Sequence, residues 1–369
     1  MNPNNYPFWV IVSSMLIVIM FFIARSISTY FKFAYPNAKF QAIGNPFIDE
    51  KELNRLLDSK EISSFKDALN TIKDYDIKGE DVGDIQRSLD NNLLQVIQMM
   101  KKDSSKKMKN FYNKYLEKMD IYLIKNEVKR KLSDGKTTGK PDSDRAILQK
   151  TKELLIKLEY AEKKDIPTIL KNYGFEKEIT SLVSEEKIDY LKLDNELDKH
   201  VINNFKKVKV PHKCEAAKQL FVKTMIDIIN IKNVLRARHL DYDKTSCKQL
   251  FIGEGKEIAP WKYDQLLEFE NVSQIISSIE GTSYYNALKE SMEQYNKKKS
   301  IQTLENALDS AFLKIIKQIA MQNYITIGPT LRFLVSKEFE IRNLKIIAKG
   351  VDENLPSDFI RSLLITEAV

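Results

Sequence analysis

Three stretches of this chain repeat one another at long range, and this constrains the fold more than any bulk property. The fullest is Asp227-Ile-Ile-Asn230-Ile-Lys232-Asn-Val-Leu-Arg236-Ala-Arg238. Its acid and Asn230, three residues apart, share one face of a helix. Ile228, Ile231 and Leu235 form an apolar strip on another part of the surface. The pattern recurs as Asp120-Ile-Tyr-Leu123-Ile-Lys125 through Arg130, and as Glu340-Ile-Arg-Asn343-Leu-Lys345 through Lys349. The three acids stand 107 and 113 residues apart. Such near-even spacing points to a threefold internal repeat of about a hundred residues. The first copy is degenerate, with Leu123 where the others have Asn.

The repeat's polar positions are the candidate site residues: Asp120, Asp227, Asn230, Lys232, Arg236, Glu340, Asn343 and Lys345. The plain reading is a polar seam between bundled helices, its carboxylates accepting hydrogen bonds from Asn, Tyr or Lys. That is fold and interface geometry, and it implies no catalysis. Eleven glycines in 369 residues are few for a nucleotide-binding α/β enzyme. Abundant Lys, Glu, Leu and Ile favour an all-α body, and the length allows two or three domains. Cys214 and Cys247 provide neither a disulfide framework nor a metal quartet, and each is expected to be a small buried hydrophobe. The net charge of +8 fits anionic partners or a solvated surface near acidic lipid, and does not separate the two.

From Phe8 to Ala24 the chain carries no charged residue (FWVIVSSMLIVIMFFIA). Seventeen residues is short for a span of roughly 20, but tilt, or Ile27 and Phe31 beyond Arg25, extends it. Tyr6 and Trp9 sit at one edge and Tyr30 and Tyr35 beyond the other, as interfacial anchors do. Arg25, Lys32 and Lys39 follow the run, so the positive-inside rule puts the N-terminus outside and the body in the cytoplasm. A secretory signal peptide is disfavoured: no basic segment precedes the run and no convincing small-x-small cleavage site follows it.

The body begins at Tyr35, with Pro36, Gly44 and Pro46 expected as breaks. Helices are expected over 49–57 and 59–74, then over 84–132 with a turn at Asp103-Ser-Ser. Ser133 to Asp144 is a linker. Its GKTTGK lacks the spacing of a phosphate loop, follows no strand, and reads as a flexible loop. Further helices are expected over 146–164, 166–173 (ended by Gly174), 176–205, 215–239, 301–324, 331–348 (ended by Gly350) and 356–364. His200, His212 and His239 have no metal-site spacing. No nucleophile motif surrounds a serine or cysteine. The Lys-rich segment 101–118, with Phe111, Tyr112 and Tyr115, superficially resembles a base-stacking platform. At helical spacing those aromatics belong to a core face. No cofactor, small-molecule substrate or nucleic acid is implied, and a basic helical nucleic-acid binder is the remote alternative.

Specific stretches resemble the C subunit of archaeal and bacterial V/A-type rotary ATPases, a relative of the d subunit of the vacuolar enzyme. They are DIINIKNVLRARHL (227–240), FIGEGKEI (251–258), IEGTSYYNAL (279–288) and LENALD (304–309). The best is IGPTLRFLVSKEFEIRNLKIIAKGVDENLPSDFIRSLL (327–364). NAKFQAI (37–43) also looks like the family's start, so the resemblance covers about 37–364. It implies a funnel-like body of three similar helical bundles, divided here as 35–140, 141–250 and 251–369, after a membrane anchor and juxtamembrane segment over 1–34. It implies a non-catalytic central-stalk subunit of a proton- or sodium-translocating ATP synthase. Its implied partners are the central shaft subunits and the proteolipid rotor ring, with the lipid bilayer added through residues 8–24. The alternative is a membrane-tethered helical scaffold outside any rotary complex. Asp227, Asn230 and Lys232, and Glu340, Asn343 and Lys345, match the family's acid–Asn–Lys helices. The N-terminal span is expected as a departure from typical members.

Overall fold

The computed structural model describes residues 6–133 and 142–365. Among them every regular element is helical. The helices are α1 (Tyr6–Ile43), α2 (Glu50–Leu57), α3 (Ile62–Asn70), α4 (Val82–Lys102), α5 (Lys106–Leu132), α6 (Gln149–Tyr160), α7 (Ile166–Tyr173), α8 (Lys177–Leu182) and α9 (Tyr190–Lys207). There follow α10 (Glu215–His239), α11 (Lys244–Gln249), α12 (Pro260–Leu266), α13 (Val272–Ser278), α14 (Tyr285–Lys298), α15 (Ile301–Gln322), α16 (Gly328–Asp352) and α17 (Ser357–Arg361). GKTTGK lies outside the described residues.

The three acid-headed helices are α5, α10 and α16. Each forms a hairpin with the long helix before it: α4–α5, α9–α10 and α15–α16. The hairpins also pack on one another in a cycle. α5 lies against α9, α10 against α15, and α16 returns to α4. Contacts among six long helices thus close on themselves, and each hairpin buries apolar residues against the next. Most of the core is one cluster running from Phe33 to Ile365, and a smaller one joins Leu123, Ile124 and Val128 of α5 to α6–α9. Shorter helices flank each hairpin: α6–α8 beside α5, α11–α13 beside α10, and α17, α2 and α3 beside α16. Early and late helices of the body therefore meet on one hairpin, with α17 packed on α2.

Several boundaries differ from expectation for identifiable reasons. Pro36 does not break α1. It is buried, and the adjacent Asn37 donates to the carbonyls of Tyr324 (3.0 Å) and Thr326 (3.1 Å), so docking offsets the hydrogen bond that proline forfeits. Gly350 lies inside α16, because Ile360 packs where a Cβ would stand, 2.6 Å away. The expected helix 176–205 is two, α8 and α9, separated at 183–189. Gly174 does end α7, in the left-handed region at φ 114°. Phe111, Tyr112 and Tyr115 are fully buried, with Phe111 edge-on to Phe205, so they are core. Both cysteines are buried and free. His200 Nδ1 lies 2.5 Å from Glu176, while His212 and His239 are exposed.

Helix α1 continues beyond the body. Thr29, Phe33, Pro36, Asn37 and Phe40 are buried on one face, and Phe40 stacks on Phe333 of α16. From Phe8 to Ile23 nearly every side chain is exposed. This is one helix long and apolar enough to cross a membrane.

Candidate functional site: three capped loops and a shared cavity

Each buried acid accepts hydrogen bonds from the backbone of a loop leading into a short helix. Asp120 takes the N–H groups of Ile147 (2.8 Å) and Leu148 (2.9 Å) before α6. Asp227 takes those of Lys256 (3.0 Å), Glu257 (2.8 Å) and Ile258 (2.9 Å) before α12. Glu340 takes that of Ile48 (3.1 Å) before α2. In every case an isoleucine two residues ahead of the helix is a donor: Ile147, Ile258 and Ile48. A tyrosine recurs as well. Tyr284 donates to Asp227 (2.9 Å) and Tyr75 to Glu340 (3.2 Å). In the degenerate first copy Tyr173 pairs instead with Thr151 (3.1 Å). The expected seam of side-chain partners is thus largely a set of backbone amides.

The Asn positions fasten a second strand of loop. Asn230 accepts from Ile252 N–H (3.1 Å) and donates to the Gly253 carbonyl (2.9 Å). Asn343 accepts from Ile365 N–H (3.0 Å) and donates to its carbonyl (2.7 Å). Leu123 can do neither, and it is buried in the smaller apolar cluster instead.

The lysine five residues after each acid reaches the next hairpin. Lys125 pairs with Asp198 (2.6 Å) on α9, Lys232 with Asp309 (2.7 Å) on α15, and Lys345 with Asp90 on α4. Four residues further on, Lys129 meets Asp194 (2.5 Å) and Arg236 meets Glu305 (2.5 Å). At the third place Lys349 meets Asp352 (3.0 Å) and Glu353 (2.6 Å) at the end of its own helix, and the corresponding position on α4 is Gln86. The receiving acids follow a signal of their own that the repeat's acid–Asn–Lys pattern does not contain. Leu89-Asp90, Leu197-Asp198 and Leu308-Asp309 are themselves a recurring pair, spaced 108 and 111 residues.

Inside the ring is a cavity of about 740 Å³ lined by five of the six long helices. Asp120, Lys232, Arg236 and Lys345 line it, with Asp309, Arg342 and Tyr122. Asp227, Asn230, Glu340 and Asn343 do not, and they hold the flanking loops instead. Asp309 bridges α10 and α16 by accepting from both Lys232 and Arg342 (2.7 Å each). Burial alone would raise its carboxyl; the two cations outweigh that and hold it below the usual range. Asp120 has no such cation, and burial pushes it up to about 6 against the pull of its two amides. Burial lifts Glu340 to about 7, the charge of nearby Lys337 and the Ile48 and Tyr75 donors only partly offsetting it, and burial raises Asp227 too against its own hydrogen-bond donors. Tyr122 is 61 % exposed within the lining, an aromatic with no core role. Among the described residues no group of three or more His, Cys, Asp or Glu is arranged to hold a metal ion.

A sequence model of the family described as ATP synthase (C/AC39) subunit matches residues 36–363. Among similar curated proteins, the C subunit of the A-type ATP synthase of Methanosphaera stadtmanae is 28 % identical over 373 residues, covering 96 % of this chain and 92 % of that one. That of Methanocaldococcus jannaschii is 28 % identical, covering 90 % and 86 %. That of Pyrococcus abyssi is 25 % identical, covering 91 % and 90 %. Coverage of 96 % cannot omit all of the exposed run of α1, so the alignment with the Methanosphaera protein takes in part of the expected departure.

Proposed function

The chain belongs to the ATP synthase (C/AC39) subunit family, and on that premise we propose that it joins the soluble rotor shaft to the membrane proteolipid ring of a V/A-type ATP synthase. It is a non-catalytic coupling subunit, as its family is. The observation that carries the finer reading is the cyclic packing of α4–α5, α9–α10 and α15–α16 around one cavity, with α1 leaving the body. Three similar hairpins closed by α16 on α4 make a stiff, funnel-like body. Stiffness and a broad contact area are what torque transmission needs. The shaft enters the cavity, and the ring lies at the end from which α1 projects. Ion flow, of protons or sodium, is thereby tied to ATP synthesis or hydrolysis.

In this reading the body is cytoplasmic, the N-terminus lies outside, and residues 8–24 cross the bilayer, either within the ring's lumen or beside it. The units 35–140, 141–250 and 251–369 each carry one hairpin or its equivalent, and residues 44–81 complete the last unit from the other end of the chain. Asp120, Asp227, Asn230, Glu340 and Asn343 fix loops. Lys232, Arg236 and Lys345 fix the hairpins' mutual angle.

A Tyr122→Cys chain incorporated into native membranes tests the shaft contact. Oxidative cross-linking to a cysteine-scanned shaft subunit is expected from this position, with arrest of ATP-driven ion pumping. Cross-links from outward-facing Tyr160 but none from Tyr122 would overturn the assignment of the cavity.

A further inference from the structure

Helix α1 leaves the body across the three turns that join the hairpin helices: 103–105, 208–214 and 323–327. Its contacts come in order along the helix. Phe40 stacks on Phe333 of α16. Lys39 pairs with Asp103 of the first turn (3.0 Å), and Asn37 donates to the carbonyls of Tyr324 and Thr326 of the third. Further out, Tyr30 accepts from Lys213 of the second turn (3.0 Å), whose ammonium also stands over the tyrosine ring. α1 is thus rooted on the third hairpin, passes the first and third turns and leans toward the second. The apolar run beyond stands over the middle of this end, among the hairpins of the packing cycle, rather than off one flank.

The helix has no joint there. It is continuous from Tyr6 to Ile43, and Thr29, Phe33, Pro36 and Asn37 are buried against the body. From Thr29 to Tyr6 the rise is about 35 Å at about 1.5 Å per residue, enough to cross a hydrocarbon layer of about 30 Å. The outer part presents no polar face. Leu16, Ile17, Val18 and Ile19, which together go once around the helix, are all more than half exposed. The hydroxyl of Ser14 is turned back on the Val10 carbonyl (2.8 Å) and asks for no outside partner.

We propose that α1 threads the central opening of the proteolipid ring and rests against the ring's apolar inner wall. The inference rests on the coupling role proposed above, with the ring at this end of the body, and on α1 being a membrane span. A helix fixed to the rotor turns with it. Outside the ring, α1 would be swept around the outer face on every revolution, through whatever stationary subunit the ring turns against. Inside, helix and wall turn together and nothing is crossed. The surface of the run suits this place. One helix facing a ring of identical subunits cannot match each of them with a directed polar contact. Apolar contact is non-directional, and a run apolar on every side meets each wall subunit alike. The ring positions that face the opening are therefore expected to be apolar over the depth of Phe8 to Ile23.

The test uses the complex isolated from native membranes with the full-length chain carrying Val18→Cys. A maleimide benzophenone on that cysteine is photo-activated, and its adducts are mapped by mass spectrometry. Cys214 and Cys247 are buried, so the probe goes to the new thiol. Adducts are expected on ring positions that face the central opening. ATP-driven ion pumping should be unchanged by the cross-link, because both partners turn together. Leu16→Cys, on the opposite side of the helix, should give adducts of the same kind, since the wall surrounds it. The same probe at Tyr160→Cys, facing outward on the body, should give none on the ring. Adducts on the ring's outer face, on a stationary membrane subunit or on lipid alone would overturn the threading and leave the coupling role intact. Arrest of pumping by the cross-link at Val18 would overturn it as well. A chain recovered with neither ring nor shaft would overturn the coupling role itself, and the placement of α1 with it.

Discussion

At Asp227 one carboxylate gathers four donors, three backbone N–H groups and the Tyr284 hydroxyl. Removing it strands them all in a buried site, so Asp227→Ala should destabilise the chain by about 2–4 kcal/mol in urea unfolding. Amide exchange should accelerate first at Lys256 to Ile258. Gly255→Ala tests the same contact from the loop, since a Cβ there would run into the carboxylate. Glu340 makes a prediction about pH. Its folded-state carboxyl lies near 7 against 4.5 for a free glutamate, so between these values the folded chain holds a proton the unfolded chain has released. Its contribution to stability is therefore present below about 4.5 and lost as pH rises to about 7, on the order of 3 kcal/mol if the whole shift is expressed. Glu340→Gln should flatten that part of a stability-versus-pH curve. Asp309 acts in the opposite sense and at lower pH, because its carboxyl is depressed by Lys232 and Arg342: its stabilisation is lost only as acid protonates it.

Between elements, the rungs linking α5 to α9, α10 to α15 and α16 to α4 show which parts of the repeat are legible in sequence. The acid-headed helices stand out because one stretch holds acid, Asn and Lys at fixed spacing. Their receivers, Asp90, Asp198 and Asp309, do not, because a Leu-Asp pair is too short a signal until geometry shows that each receives the same lysine. Ile48, Ile147 and Ile258 are hidden for a different reason. They act through backbone N–H groups, and a backbone donor leaves no mark on residue type. Pro36 and Gly350 mislead in the other direction, since tertiary contacts with Tyr324 and Ile360 outweigh local preference. The missing rung gives a prediction. Gln86 stands where the other hairpins have Asp194 and Glu305, and it shares the cavity wall with Lys349. Gln86→Glu should supply a partner for that lysine and raise stability by roughly 0.3–1 kcal/mol, measured as a shift in the urea midpoint with unchanged slope. A double-mutant cycle on Lys232 and Asp309 should give a larger coupling, because that pair is mostly buried and shares Asp309 with Arg342.

For the whole molecule, the decisive feature is that early and late segments of the body are joined. α17 packs on α2, and Glu340 near the C-terminus fixes Ile48 near the N-terminus. The cycle of hairpins is therefore closed by α16 on α4 rather than left as three units in a row. α1 is joined to this body by Thr29, Phe33, Asn37 and Phe40. A chain beginning at Ser26 retains all four, so its unfolding midpoint should stay close to that of the parent while its partition into membranes is lost on flotation. Composition and hydropathy reveal the helical class and the apolar run, but closure of the cycle depends on the contact of α16 with α4, more than two hundred residues apart, which no local pattern records. The coupling role is tested most directly by isolating the complex from native membranes through an affinity tag on the C-terminus of this chain and determining its composition. The proteolipid ring and the shaft subunits are expected together with this chain; recovery of the chain with neither ring nor shaft would contradict the coupling role.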